Sequence, residues 1–186
     1  MRPWFNVRKA AQMAAFFAKQ EGGTINVLKL VKLIYLANRA AMEKFDFPLV
    51  NDNLVSMDHG PVNSMTFDYI NGFQQDRDAW EEFVTDRSGY AVGLVNPKLS
   101  VDDLDEMSAA DLDALNETWQ SFGRFEKWAI RDHTHEKCPE WEDPDGSSQP
   151  IPYERVFKFL AKPDSEFLAR RIIEQRRIDE VFAGRR

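Results

Sequence analysis

The residues most able to do chemistry sit close together. His133, His135, Glu136 and Cys138 are metal-ligand types within six positions, and His59 could join them through folding. A closed zinc site needs regular ligand pairs, however, and the chain has no C-x-x-C and no H-E-x-x-H pattern. The competing reading is a helix end, where histidines hydrogen-bond the last carbonyls and are favoured by the helix dipole. Cys138 with a histidine would make a thiol nucleophile. No oxyanion signature surrounds it, and Pro139 next to it offers no amide N–H. A metal- or thiol-dependent enzyme built from His59, His133, His135 and Cys138 is therefore an alternative, and the expectation is a protein that is not an enzyme and needs no cofactor. Carboxylates crowd residues 76–150, but abundance does not place two of them on one substrate. No glycine-rich phosphate loop exists.

Two cationic groups could recognise a partner. Lys29, Lys32 and Arg39 interrupt an otherwise apolar run at spacings of three and seven, which puts them on one helix face. The run predicts that this face is the wet side of the helix. Arg170, Arg171, Arg176 and Arg177 lie near the C-terminus. They could hold nucleic acid, or pair locally with Glu174, Asp179 and Glu180.

Helices must position most of these groups. Val7, Ala10, Ala11, Ala14, Phe17 and Ala18 recur at helical spacing, and Gly22-Gly23 ends that helix. Thr24 is placed to cap a second helix over residues 24–44. Its centre, Val27 to Ala37, is apolar nearly all round and so should be packed on several sides. Asp46-Phe47-Pro48 stops it. Residues 49–58 are ambiguous between helix and strand. In His59-Gly60-Pro61-Val62, Gly60 permits unusual backbone angles and Pro61 suits the first turn of a new helix, which should end near Gly72. Residues 83–85 and 90–92 flank a polar turn and predict a β-hairpin packed on the helices. Ser108 and Asp111 form a capping box. They open a helix that carries Leu112, Leu115, Trp119, Phe122, Phe125, Trp128 and Ala129 on its apolar stripe. After a Pro-, Gly- and Ser-rich loop at 143–152, short and long helices start at Tyr153 and Ser165. The sum is a mainly α (α+β) fold: a single compact helical domain over residues 1–186 with a small β-hairpin, and a basic C-terminal helix at 165–186.

Composition agrees. Hydrophobic residues make up 43% and charged residues 30% of 186 residues, the balance of a globular chain. One cysteine fits a reducing, cytoplasmic compartment. The first eighteen residues lack an unbroken apolar core and a small-residue cleavage site, and no apolar stretch is long enough to span a membrane. Residues 1–75, 76–150 and 151–186 carry +2, −12 and +3, for a net −7. That balance argues against general nucleic-acid affinity. Glu81, Glu82, Asp102 and Asp103 in the acidic middle, with Arg170 and Arg171, are candidate partner contacts beside Lys29, Lys32 and Arg39; the alternative is a solvated surface that maintains solubility.

Three motifs together resemble a known family. Lys29-Leu30-Val31-Lys32-Leu33-Ile34-Tyr35-Leu36-Ala37 is similar to a K-L-x-K-L-x-Y-x-A helix. His59-Gly60-Pro61-Val62 is similar to a G-P-V turn. His135, Pro139 and Trp141 resemble an H-x(n)-P-W element, although Glu140 separates Pro139 from Trp141. In this order they resemble the Panacea domain of SocA-like antitoxins, over roughly residues 5–160. The resemblance implies an antitoxin that neutralises a cognate toxin from the same operon by direct binding, and that in one mode delivers it to an ATP-dependent ClpXP-type protease. It implies no catalytic residue, metal or cofactor. A DNA-binding repressor is a further alternative, though no helix-turn-helix pattern stands out.

Overall fold

The computed structural model describes residues 2–184. Its helices, in order, are α1 (Val7–Gln20), α2 (Val27–Phe45), α3 (Ser64–Ile70), α4 (Asp78–Glu81), α5 (Ala109–Phe122), α6 (Lys127–Lys137), α7 (Tyr153–Phe159) and α8 (Ser165–Ala183). The strands are β1 (Thr24–Asn26), β2 (Leu54–Met57), β3 (Gly60–Asn63), β4 (Ala91–Gly93) and β5 (Gln149–Pro150). Helices dominate and two small antiparallel sheets, β1-β4 and β3-β2-β5, are laid against them.

α2 is the axis of the fold. It packs on α1, α5 and α6 and on β3, and Leu30, Leu33, Ile34, Tyr35 and Ala37 are almost fully enclosed. A helix apolar on nearly every side has to be surrounded, and this one is. α1 supplies an alanine-rich face, Ala10, Ala11, Ala14, Ala15 and Ala18, with Phe16 and Phe17 beside it. Small side chains let the neighbouring elements approach closely while the two rings fill the remaining volume.

Several local expectations are corrected. Thr24 does not cap α2. Residues 24–26 form β1, paired Thr24↔Gly93, Ile25↔Val92 and Asn26↔Ala91, and Asn26 is the cap, its side chain accepting from the amides of Leu28 and Lys29. The turn at 86–89 exists, but its own ladder is reduced to isolated bridges, Ser88↔Ala91 and Val84↔Leu94. β4 forms its regular ladder with β1 and keeps only scattered bonds to Thr85 and Ser88 on the other arm of the turn. The regular hairpin is β2–β3, with register Leu54↔Asn63 to Met57↔Gly60. Pro61 is therefore a strand residue facing Ser56, not the opening of a helix. The stripe from Leu112 to Ala129 is not one helix either. α5 ends at Phe122, and α6 starts at Lys127 after a break through Gly123–Glu126. The capping box of Ser108 and Asp111 is present, with Ser108 Oγ 2.8 Å from the Asp111 carboxylate and 3.2 Å from its amide nitrogen.

Two distant residues tie the ends of the fold to its middle. α3 has no capping side chain of its own. Buried Asp52 does that work from the preceding loop, accepting from the amides of Met65 and Thr66 at 2.8 and 2.9 Å. Arg176 anchors α8. It donates to Asn51 Oδ1 at 2.7 Å and to the Asp52 carbonyl at 2.8 Å, and its guanidinium lies 4.0 Å from the Trp4 ring centroid. Of the four C-terminal arginines proposed for nucleic acid, this one is spent inside the structure. Truncating it to alanine is expected to release α8 from the body, seen as faster amide exchange in residues 165–183, while α2 stays protected. Unchanged protection in α8 would show that Leu168 and Ile172 alone hold it.

Candidate functional site

Lys29, Lys32, Tyr35 and Arg39 leave α2 on one side and reach three different segments of the chain. The Lys29 ammonium donates to the Gly123 carbonyl at 2.8 Å and pairs with Glu21 at 2.5 Å. The Lys32 amine donates to the Pro61 carbonyl at 2.8 Å. The Tyr35 hydroxyl donates to Glu140 Oε1 at 2.7 Å, and Arg39 Nε reaches the same oxygen at 2.7 Å. The face expected to be wet is an interior seam. Lys29 is 7% exposed, and Lys32 and Glu140 are 0% exposed. Lys29 and Lys32 are thereby removed as direct partner contacts, and Arg39 is engaged by Glu140. The physical reason is packing: a helix enclosed on all sides has no solvent face, so its polar groups must find protein partners.

The other two motifs meet this seam. Gly60 has φ +97°, and a Cβ there would lie 2.8 Å from Thr134 Oγ1, 3.0 Å from Lys32 Nζ and 3.1 Å from His135 Cδ2. Glycine is required for both reasons, backbone angle and space. His135 stacks on Trp141, centroids 3.9 Å apart and planes 11° apart. Trp141 Nε1 donates to the Met57 carbonyl at 3.0 Å. The third motif is thus clamped onto β2, while Pro61 on β3 is clamped onto α2. Glu140, which separates Pro139 from Trp141, closes the seam. It was not singled out from sequence, because nothing marks one glutamate as buried among many solvated ones.

Burial sets the proton chemistry here. It pushes the Lys32 amine down to about 7 and the Cys138 thiol up to about 12. A thiol so protonated is a poor nucleophile at neutral pH. Burial also holds His133 and His135 below the usual imidazole range, helped at His135 by nearby Lys32. The three histidines diverge. His59 meets the edge of Trp128 at 5.8 Å, His133 lies 4.8 Å from Phe122, and His135 covers Trp141. Among the described residues no group of three His, Cys, Asp or Glu side chains is placed to hold a metal ion.

The remaining candidates are at the surface. Glu81, Glu82, Asp102, Asp103, Arg170 and Arg171 are exposed; Glu82 pairs with Arg8, Glu81 with Arg77, and Arg170 with Glu166. Trp128, expected on a core stripe, is 48% exposed, because α6 departs from the line of α5.

Taken together, the fold and seam define a mainly helical protein whose signature residues hold three elements against one central helix. Residues 30–142 match the profile of the family described as antitoxin SocA-like, Panacea domain. The chain belongs to that family, and the family role is that of the antitoxin in a toxin–antitoxin pair. The match is shorter than the stretch the motifs suggested and leaves out α1, α7 and α8. No curated protein and no solved structure matches the chain. No helix among the described residues is long and apolar enough to cross a membrane.

Three substitutions test the seam. Glu140→Ala leaves Arg39 and Tyr35 without their acceptor and is expected to cost about 3 kcal/mol in urea unfolding; a change near zero would mean that solvent replaces it. Gly60→Ala is expected to cost about 1–3 kcal/mol more than Gly22→Ala. Gly22 shares the positive φ but has nothing within 4 Å of its Cβ position, so it reports backbone strain alone. Lys32 gives a pH signature. Between pH 7 and about 8.5 the unfolded chain keeps a proton on this amine that the folded chain has released, so stability rises with pH. Lys32→Met is expected to flatten that rise. Measurement stops there because Cys138 acts in the opposite sense once unfolded thiols ionise.

Proposed function

We infer that this chain neutralises a toxin encoded beside it by binding that protein directly, with no catalysis and no cofactor, and that it also acts as an adaptor delivering the toxin to an ATP-dependent ClpXP-type protease. The observation that carries the reading is where the family residues lie. Lys32, Tyr35, Gly60, Pro61, His135 and Trp141 are occupied with one another, with the Glu140 carboxylate and with backbone carbonyls. Residues used this way make a platform, and a platform leaves recognition to the surface.

That surface offers more than one place to hold a protein, which an adaptor requires. One is acidic: Glu81, Glu82, Asp102, Asp103, Asp105 and Glu106 are exposed. The other is the outer end of α8, where Ile178, Val181 and Phe182 are 47%, 55% and 63% exposed at spacings that put them on one helical side. A basic toxin would be drawn to the first. The DNA-binding alternative gains nothing from a helix whose Arg176 is already engaged.

The test is co-expression with the neighbouring gene product, scoring growth and co-purification. The neighbour is expected to be toxic alone, harmless with this chain, and recovered with it. In a protease-deficient host, loss of rescue favours delivery and persistence of rescue favours blocking. A neighbour that is harmless, or that ignores this chain, sinks the reading. Glu81→Lys with Asp102→Lys is expected to slow association with a basic toxin by about tenfold and to weaken its salt dependence. An unchanged rate would take the acidic face out of the encounter.

A further inference from the structure

A cleft of about 860 Å³ opens where the start of α2 meets the β2–β3 turn, two of the signature elements. Val27, Val31, Met57, Val62 and Phe67 give it an apolar wall, and Lys32 lies at its floor. Two of the aromatic side chains that line it are open to solvent: Trp128 is 48% and Tyr90 is 76% exposed. Exposed indole and phenol rings beside an apolar wall are unusual in a surface with no partner and are the residue types that dominate protein interfaces.

The charge of the cleft runs against the charge of the chain. Residues 76–150 carry −12, yet the cleft's rim holds Arg87 and Lys127 against a single carboxylate in the lining, Asp58. The two cations at the rim are available. Arg87 donates to the Gly89 carbonyl and to Asn71 Oδ1, and Lys127 lies 5.5 Å from the Trp128 ring centroid. Among the described residues neither has a carboxylate partner, whereas Arg8, Lys9, Arg39 and Arg77 each do.

We propose that this cleft is where the toxin docks, taking a segment that presents apolar side chains flanked by carboxylates: the apolar groups enter between Trp128 and the Val31–Val62 wall, and the carboxylates pair with Arg87 and Lys127. The proposal rests on the antitoxin reading above and adds the place and the chemistry of contact. It also gives the signature residues a second consequence. By fixing the β2–β3 turn against α2, they set the width of the cleft.

The experiment uses the full chain and its neighbouring toxin, with affinity measured by calorimetry. Trp128→Ala is expected to weaken binding about tenfold or more. Arg87→Glu with Lys127→Glu is expected to weaken it similarly and to reduce its salt dependence. Phe45→Ala with Phe159→Ala, two exposed rings outside the cleft, is the comparison and is expected to leave affinity within about twofold. A second readout does not depend on these variants. Ser147→Cys places a thiol on the exposed lip of the cleft, where the buried native Cys138 does not compete for reagent. Maleimide labelling at position 147 is expected to be blocked in the complex. A complex that forms normally with every cleft variant and leaves the thiol open overturns the proposal and spares the antitoxin reading. Protection that appears as the chain alone is concentrated assigns the cleft to a second copy and likewise overturns it. If the unaltered chain does not bind its neighbour, the antitoxin reading fails and the docking proposal falls with it.

Discussion

A carboxylate with no access to water has to be satisfied by the protein, and the arrangement around Glu140 follows from that constraint. Tyr35 and Arg39, one helical turn apart on α2, share its Oε1 oxygen at 2.7 Å each. Arg155, on α7, donates to its backbone carbonyl at 3.3 Å. One residue in the turn after α6 thereby fixes the rotation of α2 and links α7 to both. Slide α2 by a residue and the pairing is lost, leaving a buried charge whose desolvation nothing offsets. Buried ion pairs add little net stability relative to an apolar replacement. Their effect here is on register: one alignment of α2 against α6 and the Pro139–Trp141 turn is tolerated.

The same logic extends along α2. Lys32 is a lysine at zero exposure whose amine finds one carbonyl, that of Pro61. A proline in that strand leaves no amide of its own to satisfy and projects its carbonyl at the helix. Glycine at position 60 is what lets the chain come so near, since any side chain would displace Lys32, Thr134 or His135. The hairpin, the central helix and the turn after α6 are therefore held by polar contacts at their crossing points, while the apolar packing of α1 and α2 supplies the bulk of the stability. Polar groups in the interior are expensive, and a fold that keeps them gains a defined geometry at the place where they meet.

That geometry is also what separates scaffold from surface. The histidines are held in three different aromatic environments and the cysteine is buried, so the residues most suggestive of chemistry do not converge on one point. The role we propose for the exterior is recognition, and it carries exposed rings, unpaired cations, an acidic face and an apolar helix end. An antitoxin that must fit a particular toxin needs a rigid frame with a changeable exterior, and this division supplies one.

Much of this was legible in the sequence. Helical periodicity located α1, α2, α7 and α8, the box of Ser108 and Asp111 placed the start of α5, and three motifs in order pointed to the family. These signals are local: each depends on residues within a turn or two of one another. The tertiary structure decided the rest. Whether Thr24 caps a helix or joins a strand depends on β4, almost seventy residues away. The break between α5 and α6 leaves the Gly123 carbonyl to accept from Lys29, more than ninety residues away in sequence. The largest reversal, from wet stripe to buried seam, has the same origin. Spacing puts Lys29, Lys32 and Arg39 on one face, but only their partners, Gly123, Pro61 and Glu140, determine what that face meets. Periodicity reports which residues lie together on an element, and burial depends on what is packed against it.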